Sequence, residues 1–193
     1  MIKIGVTGGI GSGKSVVSSL LSLADIPVYV ADDKSKHLSN CSPIIQEKLK
    51  KMFGNDIYND DKLDSKRLAS LVFSDEKLLN KVNDIIHPVV RKNFEEWVLC
   101  QTSKYCALES AILYESKFDK NMDVVLMVYA PVALRLTRAM RRDGVNEAEI
   151  MKRMNRQMPD ELKRKQADFV IVNDGIQALM PQLEQFVGLL HKI

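Results

Sequence analysis

The chain has 193 residues, of which 46% are hydrophobic and 27% charged. At roughly 100–200 residues per domain, this length fits one domain with a lid or an insert, and the composition excludes disordered and fibrous proteins. The longest mainly apolar run, 124–134, is interrupted by Pro131 and is shorter than the roughly 20 residues that span a bilayer. The N-terminus lacks the apolar run of a secretory signal. We therefore expect a cytosolic protein that binds no membrane.

The charge is unevenly distributed along the chain. Lys and Arg total 28, and Asp and Glu total 25, which gives a net charge of +3 and argues against nucleic acid as a partner. The segment from Arg135 to Lys165 carries ten basic and five acidic residues, so its net charge is +5 and that of the rest is −2. Such a concentration of positive charge is typical of a protein that binds a small polyanion.

The cysteines and histidines are scattered. The three cysteines, Cys41, Cys100 and Cys106, are odd in number and none is paired at metal-ligand spacing. We expect them to be reduced and buried. The three histidines are equally dispersed, so no zinc site is predicted.

Apolar periodicity predicts strands that alternate with helices. In chain order the elements are strand Ile2–Thr7, helix Lys14–Ala24, strand Pro27–Ala31, a helix between Ser42-Pro43 and Gly54, helices Ser65–Phe73, Asp75–Ile86 and Val89–Cys100, strands Tyr105–Glu109 and Asp123–Tyr129, broken helices over Val132–Lys165, strand Phe169–Val172 and helix Ile176–Leu190. Short strands separated by helices favour a parallel sheet covered on both faces.

The part of the chain between the second and third strands is predicted to be helical. Asp64 and Ser74 are candidate N-caps, and His87-Pro88 predicts a break between two helices. No strand is predicted between Lys34 and Cys100. This segment is therefore interpreted as an inserted helical lobe.

The clearest functional signal is the run Gly8-Gly9-Ile10-Gly11-Ser12-Gly13-Lys14-Ser15. It fits the phosphate-loop pattern G-x-x-x-x-G-K-[ST] and lies between a predicted strand and a helix. Glycines let successive backbone N–H groups point into one concavity, and the helix N-terminus adds a positive dipole end. Lys14 can reach the β- and γ-phosphates, and the Ser15 hydroxyl can ligate Mg²⁺. The run predicts a nucleoside triphosphate site.

Other sequence features limit the class of nucleotide-binding protein. The nearest match to a guanine-reading motif, Asn80-Lys81-Val82-Asn83, ends in Asn where Asp is required and lies inside a predicted helix. Glu109 ends a strand and is a candidate carboxylate on the metal side, or else a solvated strand end. Asp32 and Asp33 follow the second strand, where one carboxylate can accept a proton from an acceptor hydroxyl. The alternative is that one of them caps the following helix.

An ordered set of motifs resembles the dephospho-coenzyme A kinase family. The matching segments are GVTGGIGSGKSVV, VYVADDKSKHL, LDSKRLASLVFSDEKLLNKVNDIIHPVV, RAMRRDGV and ADFVIVNDG, which run from about residue 2 to residue 175. The resemblance implies transfer of the γ-phosphate of ATP, with Mg²⁺, to the 3′-hydroxyl of dephospho-CoA. It also implies a P-loop NTPase-like α/β fold in which helices cover a parallel sheet of about five strands. Within this single kinase domain the predicted core is 1–33, 101–134 and 166–193, the helical acceptor lobe is 34–100 and the basic lid is 135–165.

The resemblance also carries residue roles. Ala31-Asp32 matches the Ala-Asp of the family, which makes Asp32 the catalytic base and an acceptor contact, although a register shifted to Asp33 stays open. His87 matches an acceptor-binding histidine. The residues expected at ATP are Gly11, Ser12, Gly13, Lys14, Ser15, Val16, Arg138, Arg142, Asn173 and Gly175, with Lys14 and Arg142 also acting in catalysis and Ser15 at the metal.

The chain departs from the family pattern at Val16, Val30, Ser65, Glu109 and Ala111, where the family usually has Thr, Asp, Arg, Asp and Pro.

Two other functions remain open from the residues alone. One is a P-loop kinase for a nucleoside monophosphate or another small molecule, and the other is an ATP-binding regulatory protein without kinase activity. In all cases we expect small-molecule ligands and a monomer or weak homo-oligomer.

Overall fold

The computed structural model describes residues 1–72 and 75–192. The strands are β1 (Ile2–Thr7), β2 (Val28–Val30), β3 (Tyr58–Asn59), β4 (Lys62–Leu63), β5 (Tyr105–Glu109), β6 (Val124–Tyr129) and β7 (Phe169–Val172). The helices are α1 (Lys14–Leu23), α2 (Ala31–Cys41), α3 (Pro43–Phe53), α4 (Ser65–Val72), α5 (Glu76–Leu99), α6 (Val132–Asp143), α7 (Glu147–Met154), α8 (Asp160–Gln166) and α9 (Leu179–Leu190). The chain forms two compact units: a sheet unit, Met1–Val30 with Gln101–Ile193, and a helical unit, Ala31–Cys100.

The sheet unit is built on five parallel strands in the order β2-β5-β1-β6-β7. Strands β5 and β6, which flank the central β1, are almost wholly buried, which explains why their sequences are apolar runs, apart from Glu109 at the end of β5, rather than alternating ones. Buried residues of α1 and α9, among them Leu21 and Phe186, complete the core around Val6 and Leu126. Since all strands are parallel, the loops that follow their carboxyl ends meet at one edge.

The helical unit has its own apolar core. Ile45 and Leu49 of α3 pack with Ile57, Val82 and Ile85, in the periodicity that predicts a helix between Pro43 and Gly54. Gly54 ends α3 with φ 92°, a conformation that favours glycine.

Two predictions for the helical unit are wrong. Strands β3 and β4 form an antiparallel hairpin where no strand is predicted. In addition, α5 continues through His87 and Pro88 instead of breaking there. Pro88 removes one helical N–H donor, but the buried residues Val82 and Val90 lie on either side of it in the same helix, and their packing outweighs that loss.

The remaining predicted elements are found with small shifts at their ends. Strands β1, β5 and β7 have the predicted bounds, whereas the last helix begins at Leu179 rather than Ile176. Asp64 accepts a hydrogen bond from Arg67 N at 2.9 Å, as expected of an N-cap. The predicted helix end Phe73 and the predicted cap Ser74 lie outside the described residues.

The cysteine prediction is only partly correct. Cys106 is buried on β5, whereas Cys41 and Cys100 are exposed, and all three are free thiols. Within the described ranges, no helix combines the length and apolarity that a membrane crossing needs.

Candidate active site

The loop between β1 and α1 has the backbone of a phosphate cradle. Gly8, Gly11 and Gly13 have φ values of 148°, 78° and 94°, a region that L side chains rarely adopt. Gly13 is the N-cap of α1 in the left-handed conformation, so the first amides of the helix follow directly from the loop. A loop of this geometry can present N–H groups to an anion. The N–H groups of Ser12 and Val16 donate to Gly9 O and Gly13 O, both at 3.1 Å.

The polar side chains of the loop are arranged around this cradle. Lys14 Nζ donates to Gly8 O at 3.0 Å and lies 3.5 Å from Gly9 O, so the ammonium group lies over the first residues of the loop. The hydroxyls of Thr7 and Ser12 are buried, and neither has a hydrogen-bond partner among the described residues. Buried hydroxyls without partners are costly, which is consistent with a polar ligand at this loop.

Helix α6 packs tightly against the loop through Arg135. A Cβ atom on Gly9 would lie 1.8 Å from Arg135 Nη1, and one on Gly11 would lie 2.2 Å from Arg135 O. Arg135 Nη1 also donates to Ile10 O at 3.4 Å. The loop therefore has no room for side chains at these two glycines.

Arg135 forms a buried ion pair with Asp160 at the start of α8. Arg135 Nη2 and Asp160 Oδ2 lie 2.7 Å apart, and the two side chains are 7% and 11% exposed. Burial raises the pKa of Asp160 against the opposing effects of Arg135, Lys163 and Lys14. The pair fixes a cation beside the phosphate loop.

Two amide side chains also hold the loop. Gln157 Oε1 accepts from Ile10 N at 3.0 Å, and Asn173 Nδ2 donates to Ser12 O at 2.9 Å. Arg138 in turn donates to Asn173 O at 3.0 Å. The structure thus brings together the predicted residues Ser12, Arg138 and Asn173, and it places Gly175 two residues further on with φ 84°.

A second buried cation anchors α8. Lys163 is fully buried, and its Nζ donates to Ala111 O at 2.6 Å and lies 2.9 Å from Glu115 Oε1. Glu115 also accepts from Met158 N at 2.7 Å. These contacts join the segment after β5 to the end of the basic stretch.

The far end of α6 carries an exposed cluster of charges. Asp143 lies 2.7 Å from Arg142 Nε and 2.5 Å from Arg153 Nη1, and the hydrogen bond from Arg142, with that from Arg153, lowers the pKa of Asp143 to about 2. Arg142 is 61% exposed. Gly144 then ends the helix with φ 67°, at the predicted break.

In the helical unit, Asp32 and Asp33 lie in the first turn of α2, and both are exposed. Asp33 is 3.6 Å from Lys36. His87 lies within α5, and burial, followed by the nearby charge of Arg91, lowers its pKa, although Asp84 acts in the opposite direction. Its imidazole is therefore neutral at pH 7 and can donate one hydrogen bond and accept another.

The family model for dephospho-CoA kinase matches residues 2–178. The chain belongs to the dephospho-CoA kinase family. A dephospho-CoA kinase of Bacteroides fragilis strain YCH46 is 43% identical over 99% of this chain and 94% of its own length. One of Porphyromonas gingivalis strain W83 is 42% identical, with coverages of 97% and 93%.

Solved structures share the fold of this chain. TT1252 from Thermus thermophilus is 33% identical and covers 100% of this chain and 97% of its own, with a TM-score of 0.85. Shikimate kinase of Acinetobacter baumannii, 17% identical with a TM-score of 0.56 and coverages of 98% and 92%, shares the fold alone. The predicted P-loop NTPase-like architecture of the dephospho-CoA kinase family is confirmed.

The residues at the edge of the sheet fit the Mg²⁺ that the dephospho-CoA kinase family implies. Mg²⁺ takes hard oxygen ligands, and the Ser15 hydroxyl is exposed at the start of α1. Glu109 ends β5 opposite Val6 of β1 and is only 9% exposed, so it is a buried carboxylate rather than a solvated strand end. The buried, unpartnered hydroxyls of Thr7 and Ser12 add to the polar surroundings.

In the sequence, the residues that hold the phosphate loop from outside carry no distinct signal. Arg135 and Lys163 count there only as part of a basic lid, and Gln157 and Asp160 have no assigned role. A basic run ordinarily indicates a solvated helix face, and the burial of these two cations depends on partners that are distant in sequence. Pro159 and the acidic first turn that begins at Asp160 indicate the start of a helix. They do not indicate that Asp160 forms an ion pair with Arg135.

Proposed function

We propose that this chain transfers the γ-phosphoryl group of ATP to the 3′-hydroxyl of dephospho-CoA, giving coenzyme A and ADP, the last step of coenzyme A synthesis. The observation that carries the proposal is a fully formed phosphate loop in a chain that matches the dephospho-CoA kinase family model over residues 2–178. We expect the reaction to take place in the cytosol, with ATP and dephospho-CoA as the small-molecule partners.

The proposed ATP contacts follow from the loop geometry. The amides from Gly11 to Val16 bind the phosphates, and Lys14 neutralises charge at the β- and γ-phosphates. Arg138, held by Asn173, borders the nucleotide with Gly175. Arg142 leaves Asp143 and contacts the phosphoryl group that is being transferred. Its planar guanidinium is suited to bidentate contact with phosphate oxygens.

Ser15 is the proposed Mg²⁺ ligand, with Glu109 as a second oxygen donor near it. When bound, the ion supplies positive charge that offsets the charge on the phosphate oxygens. The buried position of Glu109 keeps its carboxylate at the edge of the sheet where the loop begins.

Asp32 is the proposed general base. It accepts the proton of the 3′-hydroxyl while the new O–P bond forms and the bond from the γ-phosphorus to the β-γ bridging oxygen breaks, with ADP as the leaving group. Asp33 stays the alternative, because its ion pair with Lys36 is exposed and 3.6 Å long and such a pair contributes little. We further propose that Ala31–Cys100 is the acceptor lobe, with neutral His87 as an acceptor contact, and that 135–165 acts as the lid that excludes water.

The first test is a coupled ADP-release assay with Mg-ATP, with and without dephospho-CoA. Stimulated turnover and a product heavier by one phosphate are expected, and absence of stimulation would refute the proposal. A panel of nucleoside monophosphates and small alcohols tests the other kinases, and acceptor-independent hydrolysis alone would favour a regulatory protein.

A matched pair of variants tests whether Asp32 or Asp33 is the general base. Asp32→Asn is expected to lower kcat by roughly 10²–10⁴-fold while ATP still binds, and Asp33→Asn is expected to keep activity. The reverse result would assign the base to Asp33, and activity in both variants would eliminate a carboxylate base in this pair.

A further inference from the structure

A cavity of about 510 Å³ lies in the sheet unit between β6, α6, α7 and the start of α8. Its volume is within the roughly 300–1,000 Å³ of small-molecule pockets. Met151, Met154 and Met158 contribute to its apolar wall, and Arg135, Gln157 and Asp160 contribute to its polar side. None of the residues proposed to contact ATP lines this cavity.

The cavity adjoins the phosphate loop at one particular end. Arg135 and Asp160 are the groups that a Cβ on Gly9 would meet, and Gln157 binds Ile10 N. Lys14 Nζ lies over Gly8 and Gly9, and the lysine of such a loop contacts the β- and γ-phosphates. The cavity therefore borders the end of the loop at which the terminal phosphate is expected.

The position of the cavity discriminates between the possible occupants. The base of ATP is separated from its γ-phosphate by a ribose and two further phosphates, and the proposed contacts Arg138 and Asn173 lie at the Ser12 side of the loop. The acceptor hydroxyl must instead approach within about 3–3.5 Å of the γ-phosphorus. In dephospho-CoA that hydroxyl is on the ribose that carries adenine, so adenine is the apolar group closest to the reacting oxygen.

The chemistry of the wall fits a purine. Methionine side chains are flexible and polarizable, and they pack against aromatic rings. On the polar side, Arg135 is 6% exposed and its Nε has no hydrogen-bond partner among the described residues. The Arg135 side chain lines the polar side of the cavity, and a guanidinium N–H is a suitable donor to a ring nitrogen or a ribose oxygen.

We infer that this methionine-lined cavity binds the adenosine end of the phosphoryl acceptor and thereby selects an acceptor whose hydroxyl is next to a purine. The inference rests on the proposed function, because it assigns a subsite to the same reaction. The pantetheine arm, which lies beyond the two phosphates on the 5′ side, is bound elsewhere.

The kinetic test compares methionines inside and outside the cavity. Met154→Ala is expected to raise the KM for dephospho-CoA about tenfold, within the range for losing part of an apolar contact, and to leave the KM for ATP unchanged. Met180→Ala is the matched control, since Met180 is on α9, is 50% exposed and does not line the cavity. A rise in the KM for ATP alone, or no change in either KM, would overturn the inference.

A second measurement uses the wild-type protein, so it does not depend on the folding of a variant. With methionine methyl groups labelled by carbon-13 and a non-hydrolysable ATP analogue bound with Mg²⁺, dephospho-CoA is expected to shift the methyl signals of Met151, Met154 and Met158 but not that of Met180. Pantetheine alone is expected to shift none of the three. Shifts produced by the ATP analogue alone would assign the cavity to the base of ATP and overturn the inference.

The two proposals fail in distinguishable ways. If the wild-type protein does not turn over dephospho-CoA, the proposed function is wrong. If it turns over dephospho-CoA while the three methyl signals stay unshifted, the reaction stands and the cavity is not the adenosine subsite.

Discussion

Arg135 and Arg142 lie about two helical turns apart on α6, and each guanidinium is 2.7 Å from an aspartate. The Arg135 side chain is 7% exposed and lies beside the phosphate loop, whereas that of Arg142 is 61% exposed at the far end of the helix. Equal distances therefore describe different interactions. A buried pair is costly to break from one side, because the remaining charge has lost its water, whereas an exposed pair contributes little. The base of α6 is suited to holding the loop, and its tip is suited to exchanging partners.

The largest expected effect comes from breaking the buried pair. Asp160→Ala leaves the Arg135 charge buried and unpaired, so the free energy of unfolding is expected to fall by about 3–5 kcal/mol, measured by urea denaturation. The double variant Arg135→Met with Asp160→Leu removes both charges and is expected to recover most of that loss. A double variant as unstable as the single one would show that Asp160 acts through packing rather than charge.

The next effect concerns the tip of the helix and is catalytic. Arg142→Ala is expected to lower kcat by about 10²–10³-fold, as for other donors that stabilise a transition state, and to change the free energy of unfolding by less than about 1 kcal/mol. Steady-state kinetics and urea denaturation of the same preparation measure both quantities. Unchanged kcat would remove Arg142 from the proposed lid chemistry, and Arg142→Lys tests whether charge alone is sufficient.

A smaller effect is expected from the partner carboxylate of Arg142. The pKa of Asp143 is lowered to about 2 by its arginine neighbours, so its contribution to stability is present above the unfolded pKa of about 3.9 and is lost as the pH falls through about 2. Asp143→Asn is therefore expected to be slightly less stable than wild type at pH 7, and the difference is expected to vanish only as the pH falls below about 2. Thermal melts of both proteins across this pH range measure the difference, and a pH-independent difference would contradict the ion-pair origin.

The smallest expected effect is a difference in salt dependence between the ion pairs at the two ends of α6. Raising the ionic strength from about 0.1 to 1 M shortens the screening length from about 10 to 3 Å. The stability difference between wild type and Asp143→Asn is expected to shrink, while that between wild type and Asp160→Ala is expected to persist. Equal salt sensitivity would mean that water reaches Arg135 as freely as it reaches Arg142.

The sequence predicts the parts of the molecule that depend on local pattern. The phosphate loop lies between a strand and a helix as predicted, and its glycines at 8, 11 and 13 have positive φ values, a conformation that favours glycine. Strands β1, β5 and β7 have the predicted bounds, because each is a short, mainly apolar segment between clear breaks, with Lys3 the charged residue in β1 and Glu109 the last residue of β5.

The hairpin β3-β4 could not be predicted from its pattern. Each strand has two residues, too few to show alternation. The turn between them is Asp60-Asp61, with φ values of 48° and 59°, where such turns usually carry Asn-Gly or Asp-Gly. Similarly, Pro88 predicts a helix break by its local chemistry, and only the packing on both sides of it keeps α5 continuous.

The surroundings of the phosphate loop were the least predictable part of the candidate site. Sequence predicts which residues the loop contains, but Arg135 and Asp160 are neighbours only in the folded chain. The same holds for Gln157 and Ile10, and for Lys163 and Glu115. A residue type that is ordinary on a helix surface acquires its function here from tertiary contacts that leave no local signature.

Gly9 differs from the other glycines of the loop. It is not among the glycines with positive φ, so any residue can adopt its backbone, and what it lacks is space, since a Cβ would lie 1.8 Å from Arg135 Nη1. Gly9 and Arg135 are thus expected to show epistasis. A Cβ at position 9 would also lie 2.8 Å from Asp160 Oδ1, so a substitution there is expected to be better tolerated when Arg135 and Asp160 are shortened together, and the three positions constrain one another during divergence.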